Sequence, residues 1–183
     1  MSIDDLSDDE LLRRLPLHPD AMGPLFERHA RSVHRFLGRR VGPHEAEDLL
    51  SEVFAAAVSA RARVTPHESG SALPWLYGIA RNVVRTHLRR RPGVVPSAAD
   101  DEMDWSAVDA RIDAVGRRAE LRAVLGSLSA DERAVLLLVA WDGLTPSESA
   151  TALGITPEAA RTRLSRARRR AQTVLDTLPV TVD

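Results

Sequence analysis

Apolar residues recur along this chain at intervals of three and four, and turn-forming residues punctuate the runs. Ser7 to Leu15 opens with a capping-box pattern, Ser7 with Glu10, and is closed by Pro16, which predicts a short helix. From Ala21 to about Arg40, Met22, Leu25, Phe26, Val33, Phe36 and Leu37 fall at helical spacing. Gly42-Pro43 breaks this run, and Pro43 suits the first turn of a following helix. That helix places Ala46, Leu49, Leu50, Val53, Phe54, Ala57 and Val58 on one face. Arg63 to Ala72 holds Pro, Gly and Ser without a period and reads as a loop. A third long helix runs from about Leu73 to Arg91, with Leu73, Leu76, Tyr77, Ala80, Val83, Val84 and Leu88 as its apolar stripe. No strand-like alternation lasts more than a few residues, so the expected fold class is all-α.

Pro92 ends the third helix, and the segment to Asp113 is acidic and poor in apolar residues, as a flexible linker would be. Trp105 is its exception. A second helical unit follows to about Leu178, with another capping-box pattern at Ser129 and Glu132. The expected organisation is an acidic extension over 1–20, a helical domain over 21–91, a linker over 92–113, a second helical domain over 114–178 and a tail over 179–183.

Leu144 to Arg170 carries the sharpest local pattern, that of a helix-turn-helix. Pro146 to Leu153 forms the first helix, with small Ala150 where two helices must cross closely. Gly154 permits the positive φ of a tight turn. Thr156 caps the second helix and Pro157 starts it. Ala160 and Leu164 then face inward, and Arg161, Thr162, Ser165, Arg166 and Arg169 face outward, where a recognition helix meets the DNA major groove. A plain helical hairpin with a solvated basic face is the competing interpretation. Ser149 stands where such helices usually carry a large aliphatic side chain.

The net charge of −1 hides a segregation. Residues 1–20 carry net −4, residues 21–91 net +6, residues 92–120 net −4 and residues 121–183 net +1. Two basic zones between acidic segments suit two contacts with a polyanion, or else are solvated helix faces. All 25 basic residues are Arg, a composition that GC-rich coding explains without any functional demand. The absence of cysteine excludes disulfides, zinc ribbons and thiol redox sensing. No apolar run approaches the roughly 20 residues of a membrane span, and the acidic N-terminus lacks the order of a signal peptide, so a cytoplasmic location is expected. No phosphate loop, nucleophile elbow or zinc-protease motif is present, and neither catalysis, a metal nor a cofactor is expected.

The first domain narrows the class. Asp48-Leu49-Leu50-Ser51-Glu52-Val53-Phe54, then Trp75-Leu76-Tyr77-Gly78-Ile79-Ala80-Arg81-Asn82 and Leu88-Arg89-Arg90-Arg91, resembles the second region of extracytoplasmic-function sigma factors. Leu128 to Arg170 resembles their fourth region, in the right order. The resemblance implies two partners, core RNA polymerase and promoter DNA, and often an anti-sigma factor. It implies core-polymerase binding by Asp48, Leu49, Glu52, Val53 and Phe54, although Leu49, Val53 and Phe54 also suit the core. It implies −10 element recognition by Trp75, Tyr77, Arg81, Asn82, Arg85 and Arg89, with the loop Thr65 to Ser71 cradling a flipped base. Packing at the helix end is an equally good reading of Trp75. The −35 element then falls to Arg161, Thr162, Ser165, Arg166 and Arg169, and Arg170 to a phosphate. A linker threading the polymerase could use Asp100, Asp101, Glu102 and Asp104 to imitate nucleic acid, or serve only as a tether that lets the domains move independently. Two other readings stay open: a stand-alone helix-turn-helix regulator, and a helical adaptor for acidic partners.

Overall fold

The computed structural model describes residues 2–90 and 118–177. Its helices are α1 (Asp8–Arg14), α2 (Met22–Val41), α3 (Pro43–Ala60), α4 (Leu73–Arg89), α5 (Arg118–Ser127), α6 (Ala130–Ala140), α7 (Pro146–Leu153) and α8 (Pro157–Thr177). The described residues contain no strand. Trp105, the acidic linker residues and the tail over 179–183 lie outside them.

Local chemistry sets the helix ends. Ser7 accepts the Glu10 N–H, and the Glu10 carboxylate accepts the Ser7 N–H at 2.8 Å. The same reciprocal pair forms at Ser129 and Glu132, and also at Thr145 and Glu148, where the Thr-x-x-Glu spacing is equally visible in the sequence. Gly42 turns the chain between α2 and α3 at φ +87°, a conformation costly for a residue with a Cβ.

Helices α2, α3 and α4 pack around Leu25, Val33, Phe36, Leu37, Val53, Leu76 and Val84. Phe36 stacks on Tyr77 with ring centroids 4.6 Å apart. The Arg40 guanidinium lies 3.4 Å from the Phe36 ring centre on the ring's face. The acidic N-terminal segment is built into this core, because Leu6, Leu11, Leu12 and Leu15 are all buried in it. It is therefore an integral layer of the first domain and not a separate extension.

The second unit has a smaller core of Leu125, Leu128, Leu137 and Ala167. Its other face packs on the first unit: Leu138, Leu144 and Ala152 belong to the same apolar cluster as Leu76 and Phe36. Gly78 lets α4 and α7 approach, since a Cβ there would sit 3.4 Å from the Ala152 carbonyl oxygen. Asp142, its side chain fully buried, pairs with both Arg39 and Arg40 of α2. The expectation of independently moving domains thus differs from the packing observed. An apolar contact backed by a buried ion pair holds the units together.

Candidate nucleic-acid and polymerase surfaces

On α3, Asp48 and Glu52 lie one turn apart and are exposed, as their spacing predicts. Leu49, Val53 and Phe54 are corrected to core residues, each at most 6% exposed. Burial against α2 and α4 leaves them no surface to offer a partner. The exposed apolar group here is Phe26 of α2, whose ring meets Phe54 edge-on at 4.7 Å. The sequence marks Phe26 only as part of a helical stripe. That it sits at the edge of the stripe, uncovered, follows from the packing.

On α4, Asn82, Arg85 and Arg89 line one exposed edge. Arg85 donates to the Asn82 amide oxygen at 3.0 Å, so Asn82 orients a guanidinium at the surface. Arg81 is half-buried, and Trp75 packs partly against the core. Tyr77 is corrected: it is 2% exposed and stacked on Phe36, so it cannot meet DNA without unpacking the domain. Burial pushes its hydroxyl pKa up, against the opposing charges of Arg39, Arg40 and Arg35.

The loop before α4 is tied at several points. His67 Nδ1 accepts the Ser69 N–H at 3.0 Å, and the Ser71 hydroxyl accepts the Leu73 N–H at 3.2 Å. His67 Nε2 lies 3.2 Å from the Ser147 hydroxyl of α7, which donates to Glu68 at 3.0 Å. From the other side, the Asp8 carboxylate accepts the Ala72 N–H at 3.0 Å. Sequence reasoning missed Asp8 and His67 because their partners lie 64 and 80 residues away.

Helices α7 and α8 form the expected helix-turn-helix. Gly154 adopts φ +67°, and Thr156 accepts the Ala159 N–H at 3.2 Å. Ala160, Leu164 and Ala167 face inward, whereas Arg161, Thr162, Ser165, Arg166 and Arg169 are all exposed. Arg168 joins them, a residue the sequence reading left unassigned. Arg163 and Arg170 instead brace α8 on its neighbours, Arg163 through Asp131 at 2.8 Å and Arg170 through Glu132 at 3.1 Å. Arg170 keeps half of its side chain exposed beside that pair. Burial raises the Glu132 carboxyl pKa, but the Ser129 hydrogen bonds and the charges of Arg170 and Arg166 outweigh that and hold it low.

Ser149 is fully buried, and its hydroxyl has no hydrogen-bond partner among the described residues. A buried polar group left unpaired costs about 1–3 kcal/mol. Ser149→Ala should therefore raise stability by about 1 kcal/mol in urea unfolding of the full chain. An unchanged or lowered midpoint would show that the hydroxyl is satisfied in solution.

Two exposed arginine edges, on α4 and on α8, now stand on two helical units. Residues 25–92 match the sigma-70 region 2 family and residues 118–170 match sigma-70 region 4. The chain is 33% identical over 165 residues to the RNA polymerase sigma factor CarQ of Myxococcus xanthus, covering 89% of this chain and 94% of that one. It belongs to the extracytoplasmic-function sigma factors. It is also 30% identical over 172 residues to the ECF sigma factor SigC of Mycobacterium tuberculosis, covering 88% of this chain and 90% of that one. The fold is like that of CnrH in its complex with the cytosolic domain of CnrY, with a TM-score of 0.60 at 24% identity. That likeness covers 94% of this chain and 99% of CnrH. The sigma factor therefore directs promoter-specific transcription initiation, and the stand-alone regulator is not favoured. Region 2 corresponds to α2–α4 and region 4 to α5–α7 and most of α8, whereas α1 precedes both matches. Among the described residues no helix is long and apolar enough to cross a membrane.

Proposed function

We propose that this sigma factor reads the −35 element with the outward face of α8, and captures the −10 element with the loop 64–72 and the Asn82-Arg85-Arg89 edge of α4. Core polymerase meets the Asp48-Glu52 edge of α3. The observation that carries this reading is the placement of the two exposed arginine edges on separate units joined by the segment 91–117. Arginine matches both guanine edges and phosphates. The ties on these edges, Arg85 to Asn82 and Arg161 to Glu158, are exposed contacts within a single helix. The protein acts without catalysis of its own, in the cytoplasm where the polymerase is. Region 2 binds core polymerase, and an anti-sigma factor of the kind named with RpoE of Bartonella quintana is a further partner.

DNA geometry adds a requirement. Two elements about 25 base pairs apart are separated by roughly 85 Å of duplex. A packed body of this chain's size spans only about 40 Å. The α4–α7 contact must therefore part when one molecule reads both elements.

Transcription with core enzyme, on promoters selected from a random library, tests the assignment. The chain should yield promoter-dependent transcripts with core polymerase and bind duplex DNA negligibly alone. Tight binding of a palindrome by a dimer without polymerase would replace this reading with that of a stand-alone regulator. In the same assay Arg166→Ala should relax base preference within the −35 element, because a bidentate arginine–guanine pair discriminates by about 1–3 kcal/mol. Base preferences identical to wild type would remove Arg166 from the readout.

A further inference from the structure

Helix α1 lies outside the sigma-70 region 2 match yet is fastened to the one loop on which −10 capture depends. Four leucines, Leu6, Leu11, Leu12 and Leu15, anchor it in the core. Its first residue, Asp8, has a side chain only 14% exposed. One carboxylate oxygen accepts the Ala72 N–H at 3.0 Å and lies 2.5 Å from His29 Nε2. The other accepts from Arg28 at 3.1 Å. Arg28 also donates to the Asp4 carbonyl, so it ties α2 to the N-terminal segment at two points. Ala72 is fully buried and is the residue where the loop ends and α4 begins. Two residues back, a Cβ on Gly70 would sit 3.9 Å from Asp9 Cβ.

Burial alone raises the Asp8 carboxyl pKa, but the hydrogen bonds from His29, Ala72 and Arg28 and the charge on His29 hold it at about 2. The carboxylate is therefore charged, and acts as an acceptor, at every pH where transcription occurs. The loop's other tether, Ser147 of α7, belongs to the second unit and leaves when the units part. Helix α1 moves with region 2 and stays.

We propose that α1 is a permanent brace of the −10 loop and that Asp8 is a positioning residue for base capture, acting through the Ala72 N–H. This rests on the reading of loop 64–72 given above. Asp8 touches no base in this scheme. It sets where the loop ends, and so where the loop's concave side lies when the DNA strand arrives. Pre-set geometry matters because an opened base must find its pocket before the duplex recloses, and misplacement of a receiving group costs rate steeply.

The test uses the full chain with core polymerase and follows promoter opening on a promoter selected by the holoenzyme. Asp8→Ala should slow opening about tenfold while core affinity stays within twofold of wild type. Asp8→Asn keeps an oxygen for the Ala72 N–H and should lose less than threefold. The chain has no cysteine, so a single disulfide can be introduced without competing pairings. Gly70 sits at φ +72°, where a side chain is strained, so each oxidised form is compared with its own reduced form. The spacing at Asp9 and Gly70 falls in the range of disulfide Cβ atoms, roughly 3.5–4.5 Å. In Asp8→Ala carrying D9C and G70C, oxidation should speed opening at least threefold over the reduced form of the same variant, and reduction should remove the gain. A merely stabilising Asp8 would not show this redox-dependent rescue at constant core affinity.

Opening by Asp8→Ala at the wild-type rate overturns the inference, as does failure of the disulfide to rescue it. If Asp8→Ala does not fold, D9C and G70C in the Asp8 background decide: the oxidised form should open promoters at least as fast as its own reduced form. An oxidised form more than tenfold slower than the reduced one would show that the loop must leave α1. Arg85→Ala with Arg89→Ala tests the reading beneath. Wild-type opening by that pair removes the α4 edge from −10 capture, an outcome separate from the fate of Asp8.

Discussion

Asp142→Ala should separate the two helical units of the free sigma factor. The Asp142 side chain is fully buried between Arg39 and Arg40, whose side chains are 18% and 7% exposed. The pair spans the units, since Asp142 follows α6 and both arginines end α2. Removing one partner of a buried ion pair costs about 3–5 kcal/mol, because the remaining charge is held where water cannot reach it. Here two guanidiniums lose the same carboxylate, while Arg40 keeps the Phe36 carbonyl and ring. Relief comes by letting water in, which means parting α4 from α7. Small-angle scattering should show a clear increase in radius of gyration for the variant. Thermal unfolding should split from one transition into two. Asp142→Glu, which keeps the charge, should sit between the two forms. A scattering profile identical to wild type would show that Leu138, Leu144 and Ala152 hold the contact without the ion pair.

Reversing both Asp48 and Glu52 to Arg should weaken association with core polymerase by about 3 kcal/mol, more than a hundredfold. Both side chains are exposed on α3, so the fold should tolerate the change to within about 0.5 kcal/mol. The effect should be largest at low salt, since screening shortens the reach of exposed charges. Phe26→Ser, at the neighbouring exposed apolar position, should add to the loss if the interface has an apolar centre inside its charged rim. Fluorescence polarisation against core enzyme, with circular dichroism as the control for folding, measures both. Wild-type affinity in the double reversal would move the polymerase contact off this edge of α3.

The helices themselves were determined by the sequence alone. Each depends on signals within four or five residues of its ends: the Ser7-Glu10 and Ser129-Glu132 boxes, Gly42 ahead of Pro43, and Gly154 ahead of Thr156 and Pro157. The outward face of α8 was equally legible, because small and aliphatic residues at 160, 164 and 167 leave only one side for the arginines. Tertiary structure decided which groups on those faces are spent. Tyr77 and Trp75 look alike as aromatic residues on one helix, yet Tyr77 lies against Phe36 while Trp75 stays partly open. Arg163 and Arg170 lie in the same basic run as Arg166, yet they brace Asp131 and Glu132. Asp142 finds Arg39 across 103 residues, and Asp8 finds Ala72 across 64. Helical periodicity marks a face as apolar or charged from neighbours three and four positions away. It carries no information about which distant element covers that face, because the pairing of buried charges and rings is settled only when the helices pack.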